Sequence, residues 1–317
     1  MTESKDGTPL RVRMHDGEID TDAALVRRLL AAQFPRWAHL PVTPVASSGT
    51  DNAMYRLGAD LAVRLPRIPW AVLPLEKEIL WLPRLAPHLP VAISLPLAAG
   101  VPGEGYPWRW SICRWLSGAN PVPGRIADEP RLALDLAAFL RALRGIDARL
   151  GPAPGRHNFA RGEALARRDA AVRKAALAWQ DQFDVAAVTA IWNEALKAPA
   201  WSAAPVWLHG DLSAGNLLVG DDGLAGVIDF GCLGVGDPAG DLIVAWSLFS
   251  AEGRAAFRAA LAVDMASWAR GRGWALATAL NTLPYYRDTN PAIVAGAART
   301  LGAILADHTA NGRPALG

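Results

Sequence analysis

His209-Gly210-Asp211-Leu212-Ser213-Ala214-Gly215-Asn216-Leu217-Leu218-Val219, then Asp221-Asp222-Gly223, then Val227-Ile228-Asp229-Phe230-Gly231: this stretch decides the fold. An apolar strand beginning at Val206 ends in an aspartate, and an asparagine follows five residues later. The Asp221-Asp222-Gly223 turn sends the chain back, and the returning apolar strand ends in a second aspartate. Asp211, Asn216 and Asp229 can then meet at one edge. Two carboxylates and an amide oxygen form an all-oxygen ligand set, which suits Mg²⁺ in company with phosphate and water. No histidine or cysteine cluster competes for a softer metal. Asp, Asn and Gly are also common turn formers. Their joint spacing, rather than any one of them, points to chemistry.

Outward from this island the chain changes character. On the N-terminal side, Thr21 to Phe34 has a helical period, with Leu25, Leu29 and Leu30 on one face and Thr21 as its cap. Short β-type runs follow near Val42–Ser47, Ala53–Leu57 and Leu61–Leu65, separated by turn-like segments, so an antiparallel sheet is expected. Leu73 to Leu85 reads as a helix with Pro83 near its end. Strands are expected again near Ile93–Ala98 and Trp108–Trp115, joined by the glycine- and proline-rich segment from Gly100 to Pro107. On the C-terminal side helical patterns dominate: Pro130–Arg149, Gly162–Lys197, Pro238–Leu248, Gly253–Arg270, Trp274–Leu283 and Ala292–Asp307.

Composition narrows the function. The chain has 317 residues, is 51% hydrophobic and carries a net charge of +2, so it can bury a sizeable core but exerts no strong field. No basic face marks a nucleic-acid binder. No apolar run is long enough to span a membrane, and Met1 to Asp16 is polar, unlike a signal peptide. Cys113 and Cys232 are far apart and lack metal-ligand spacing. A reduced, cytoplasmic protein is expected.

The His209, Asp211, Asn216 loop followed by Asp229-Phe230-Gly231 resembles the catalytic loop and metal aspartate of protein kinases, H-R-D-x-x-x-x-N and D-F-G. Glycine at 210, and the downstream Gly236-Asp237-Pro238-Ala239-Gly240-Asp241-Leu242, are similar to the aminoglycoside-phosphotransferase and choline-kinase branch. The resemblance implies an α+β, two-lobed protein-kinase-like fold. Residues 1–112 would form an antiparallel β-rich nucleotide-binding lobe, 113–117 a hinge, and 118–317 a mainly α-helical lobe with the acceptor site. It implies transfer of the γ-phosphoryl group of Mg²⁺-bound ATP or GTP to a small-molecule hydroxyl, as in antibiotic-resistance kinases.

By the same resemblance, Asp211 would orient the acceptor hydroxyl and take its proton, while Asn216 and Asp229 would hold Mg²⁺. His209, Asp237 and Asp241 would brace the loop. Ser48, Gly49 and Thr50 would cover the phosphates with backbone and hydroxyl donors. Arg64 stands where the family often has lysine, with Arg67 as the nearby substitute. Glu78, or in reserve Glu76, would pair with Arg64. Main-chain groups near Ile112 to Trp115 would meet the adenine edge. Arginine keeps the charge and grips phosphate with two donors, but it is longer than lysine. That difference keeps a second reading open, a weakly catalytic nucleotide-binding pseudokinase or ligand sensor. A protein-substrate kinase is disfavoured, because the chain passes from Asp229 almost directly into Gly236-Asp237-Pro238, leaving no long loop to dock a peptide.

The acceptor is less legible. From residue 251 onward the only acids are Glu252, Asp264, Asp288 and Asp307, and seven arginines outnumber them. That is poor provision for a polycation. Trp201, Trp246, Trp268, Trp274, Tyr285 and Tyr286 could line a larger, less polar site, or could be core.

Overall fold

The structure, a computed structural model, describes residues 17–45, 51–287 and 289–311. In chain order its α-helices and strands are α1 (Ala23–Gln33), β1 (Val42–Pro44), β2 (Asn52–Leu57), β3 (Leu61–Pro66), α2 (Val72–Leu85), β4 (Ala92–Ile93), β5 (Pro96–Gly100), β6 (Trp110–Arg114) and α3 (Glu129–Arg144). Then follow α4 (Asp169–Ala178), α5 (Val185–Lys197), β7 (Val206–Leu208), β8 (Leu217–Gly220), β9 (Gly223–Val227), β10 (Gly234–Gly236), α6 (Val244–Ser247), α7 (Ala251–Leu261), α8 (Met265–Tyr286) and α9 (Pro291–Asn311). The chain divides into two compact units, one comprising residues up to Ile79 plus Pro96–Trp115, the other Leu80–Leu95 plus everything from Leu116.

In the first unit α1 accompanies an antiparallel sheet of order β1-β2-β3-β6-β5. Asp22, not Thr21, caps α1: its Oδ1 accepts from the Leu25 N–H at 2.6 Å. The Thr21 hydroxyl instead accepts from the Tyr55 hydroxyl at 3.0 Å, and Asp22, one residue nearer the helix, serves as the cap. Leu25, Leu29 and Leu30 face a core with Leu57, Leu65, Trp110 and Ile112. Gly100 lies opposite Trp110 in the sheet, and a Cβ at Gly100 would fall 2.0 Å from the indole, so only glycine admits that ring.

In the second unit Leu132, Leu136, Phe139, Leu140 and Leu143 of α3 enter one core with α4 to α9. Burying each is worth about 1.5–3 kcal/mol relative to exposure. The single strand expected over Ile93–Ala98 is two strands. β4 pairs in parallel with β9, in a small sheet of order β4-β9-β8, whereas β5 pairs with β6. The alanine-rich stretch Gly162–Lys197 breaks between α4 and α5, and the helix expected over Gly253–Arg270 breaks at Ala262 to Asp264, where Ala262 turns left-handed and Asp264 caps α8. β10, which the sequence pattern did not mark, pairs with β7. No described helix is long and apolar enough to cross a membrane.

Candidate functional site

The island forms its hairpin. β8 pairs with β9, and the Ile228 N–H donates to the Asn216 carbonyl at 2.9 Å, which brings the end of the returning strand beside the loop. Asn216 Nδ2 donates to the Asp211 carbonyl at 2.8 Å and to Asp211 Oδ2 at 3.2 Å. The amide nitrogen is therefore spent on Asp211, and the amide oxygen is left to act as an acceptor or ligand. Asp229 follows β9 in the left-handed region, φ 59°, and its Oδ1 accepts from the Gly231 N–H at 3.3 Å. A non-glycine residue in that region costs energy that the surrounding structure must supply.

Electrostatics tie these groups together. Burial pushes the Asp211 carboxyl above its ordinary range. The Arg161 guanidinium opposes this, the Asp229 carboxylate adds to the rise, and His209 and the Asn216 hydrogen bond oppose it. The Asp229 carboxylate is thus close enough to disfavour the charge on Asp211. A divalent cation would answer that repulsion. The donor chemistry fits Mg²⁺: carboxylate and amide oxygens, and no cluster of three or more His, Cys, Asp or Glu among the described residues, so phosphate and water would complete its shell.

Beneath the loop the bracing is dense. His209 is fully buried. Its Nδ1 accepts from the Asp211 N–H at 3.2 Å, and its Nε2 lies 3.1 Å from the Ile228 carbonyl. Those partners require the proton on Nε2. Phe230 packs on the imidazole with ring centres 4.5 Å apart. Asp241, also fully buried, accepts from the N–H groups of His209 at 3.0 Å and Gly210 at 2.7 Å. Burial pushes its carboxyl up and the Arg144 charge holds it back. Asp237 caps the turn at Pro238 and forms a 2.7 Å ion pair with Arg270.

In the first unit Arg64 lies on β3 between Met54 and Ser111 and pairs with Glu78 of α2. Both are buried, at 9% and 2% exposure, whereas Glu76 is exposed. With its amide oxygen turned toward Arg64, Asn52 accepts from Nη2 at 3.1 Å and Nε at 3.3 Å. Arg67 pairs with Glu18 at 3.5 Å. Ile112 pairs with Val63 and Ala98 in mid-sheet, so its main chain is engaged in the ladder. Trp115 lies just past β6. Its N–H donates to the Asp60 carbonyl, and the Arg56 guanidinium stands 4.1 Å from its ring. Ser48, Gly49 and Thr50 fall outside the described residues.

Trp246, Trp268 and Trp274 are core, at 8% exposure or less, although the edge of Trp268 also borders a surface pocket with Arg258 and Asp307. Asp264 caps α8, and Asp307 is engaged by Arg254, Arg272 and the Trp246 N–H. The sequence reading passed over Arg161, whose guanidinium reaches the loop from about 50 residues upstream. No spacing signal links the two segments.

Residues 42–274 match the model of a family described as the phosphotransferase enzyme family. No curated protein matches the chain in sequence. Among solved structures, the GDP complex of wild-type aminoglycoside 2'-phosphotransferase-IIIa is similar at 19% identity and a TM-score of 0.69, over 92% of this chain and 100% of that one. An ADP-bound aminoglycoside phosphotransferase is similar at 17% identity and a TM-score of 0.60, over 89% and 98%. The apoenzyme of a macrolide 2'-phosphotransferase from Brachybacterium faecium is similar at 22% identity and a TM-score of 0.58, over 88% and 98%. Likeness at these identities establishes the shared fold, the expected kinase-like α+β class.

Proposed function

Because the chain belongs to the phosphotransferase enzyme family, we propose that it is a small-molecule kinase that transfers the γ-phosphoryl group of a nucleoside triphosphate to a hydroxyl. The contact that carries this reading is the pairing of Asn216 with Asp211 beside Asp229. The acceptor oxygen would bond to the γ-phosphorus as the bond from that phosphorus to the β–γ bridging oxygen breaks. The nucleoside diphosphate leaves with the electron pair, and the hydroxyl proton passes to the Asp211 carboxylate. Asn216, through its amide oxygen, and Asp229 would hold Mg²⁺, whose contribution when bound is to neutralise phosphate charge. Arg64, held by Glu78, would supply a fixed cation for the phosphates, with donors from Ser48, Gly49 and Thr50. The chain leaving β6 past Ile112, toward Trp115, would meet the adenine edge, and residues 113–117 would serve as the hinge. ATP or GTP fits this reading, since the related structures hold ADP and GDP.

The acceptor we infer is a hydroxylated small molecule of the kind that names the similar enzymes. The engagement of Asp264 and Asp307 by their own neighbours favours one that is not strongly cationic. The intact acids favour turnover over the pseudokinase alternative.

The deciding experiment is Asp211→Asn. Mg²⁺-dependent turnover should be lost, while nucleotide still raises the melting temperature. Unchanged turnover would defeat the role given to Asp211. A phosphorylation screen over aminoglycosides, macrolides, amino alcohols and sugars, read by mass spectrometry, identifies the acceptor.

A further inference from the structure

The loop from Gly155 to Arg161 is held in a costly conformation. Phe159 and Ala160, neither a glycine, both adopt the left-handed region, at φ 52° and 57°. Adjacent residues of this kind persist only where the surroundings impose them. Here the clamp is Asn158, fully buried. Its Oδ1 accepts from the Gly155 N–H at 3.0 Å, and its Nδ2 donates to the Arg161 carbonyl at 3.0 Å. The strained turn therefore delivers one side chain, Arg161.

That side chain is 9% exposed. Its Nε donates to the Gly210 carbonyl at 2.9 Å, and its Nη1 donates to the Thr278 hydroxyl of α8 at 3.2 Å. The guanidinium lies 5.2 Å from the centre of the Trp274 ring. Gly210 itself cannot carry a side chain. Its φ is +84°, and a Cβ would stand 2.4 Å from the Cys232 carbonyl oxygen. A side chain that holds the Gly210 carbonyl therefore has to come from elsewhere in the chain, and Arg161 supplies it.

We propose that Arg161 is a positioning residue for the phosphotransfer reaction, fixing the peptide between Gly210 and Asp211 through the Gly210 carbonyl. It works opposite Asp241. Asp241 takes the N–H of Gly210 and Arg161 takes the carbonyl, so the peptide groups flanking Gly210 are gripped by oppositely charged side chains. Arginine suits this task because its fork reaches two acceptors at once, which lysine cannot do in the same plane.

The assignment rests on the kinase reading above, so its test has one arm that needs no turnover. In the full chain, amide hydrogen exchange across 209–216 should be faster in Arg161→Gln by on the order of tenfold, with β8 and β9 unchanged, and intermediate in Arg161→Lys. Thr278→Val, which keeps the charge and removes one anchor, should give a smaller change in the same direction. In the turnover arm, with Mg²⁺-ATP, Arg161→Gln should lower kcat by roughly 10- to 100-fold with little change in the nucleotide KM, and Arg161→Lys should recover part of the loss. Wild-type exchange at 209–216 in Arg161→Gln, or a loss carried by KM instead of kcat, overturns the assignment. Asp211→Asn reports on the kinase reading separately: it should abolish turnover and leave loop exchange as in the wild type.

Discussion

Asp241 Oδ1 accepts a 2.7 Å hydrogen bond from the Gly210 N–H, across 31 residues of sequence and entirely out of solvent. Its Oδ2 takes the neighbouring N–H of His209. The carboxylate thus sets the plane of the peptides that lead into Asp211.

Asp241→Asn keeps the shape but puts an amide N–H against one of those main-chain donors. One buried N–H then goes unpaired, at a cost of about 1–3 kcal/mol. The expected result is a lower melting temperature and a fall in kcat larger than any change in nucleotide KM. Steady-state kinetics beside thermal unfolding check this. Wild-type kcat would remove Asp241 from the support of the loop.

Arg64 and Glu78 form a buried ion pair, and removing one partner strands the other charge. Glu78→Gln should destabilise the protein by about 3–5 kcal/mol and weaken nucleotide binding. Replacing both residues together, Arg64→Met with Glu78→Leu, should recover much of the stability while nucleotide binding stays lost. Chemical denaturation and nucleotide titration separate the effects. Nucleotide affinity that survives the double change would deny Arg64 a phosphate role.

Cys113 is buried in β6, and burial pushes its thiol up from 9.0 to about 11, with Arg64 opposing and Glu78 adding to the rise. The folded thiol therefore stays neutral where the unfolded one ionises. Its contribution to stability is whole below about pH 9 and declines as pH climbs toward 11, by about 1.4 kcal/mol per pH unit. Buried Tyr106, whose hydroxyl donates to the Pro66 carbonyl at 2.7 Å, has its phenol pushed up by burial and carries the same sign at higher pH. Denaturation series at pH 8 and 10.5 should show a smaller alkaline loss in Cys113→Ala than in the wild type. Equal slopes would contradict this assignment. Native Cys113 should also react slowly with alkylating reagents at pH 8.

Much of the fold and site is legible along the chain because the deciding residues are near neighbours. The helical period of Leu25, Leu29 and Leu30 and the five-residue step from Asp211 to Asn216 are each written within a few residues. A hairpin closed by Asp221-Asp222-Gly223 can bring Asp229 back in only one direction. Short loops have few ways to close, so local spacing determines local geometry.

Other features depend on which distant segments pack together. Nothing near residue 92 tells that Ile93, the first residue of an expected strand, joins β9 with Ala92 instead of β6. Thr21 reads as a cap until Tyr55 claims its hydroxyl, and Trp246 and Trp274, which could have lined a site, are spent on the core. The grip on Gly210 shows the division most plainly. The sequence alone determined that Asp211, Asn216 and Asp229 share an edge. The tertiary structure alone decided that Arg161 and Asp241 hold the peptides leading into it. Those contacts span about 50 and 31 residues, and long-range pairing is chosen by the burial of whole elements, not by the residues that finally touch.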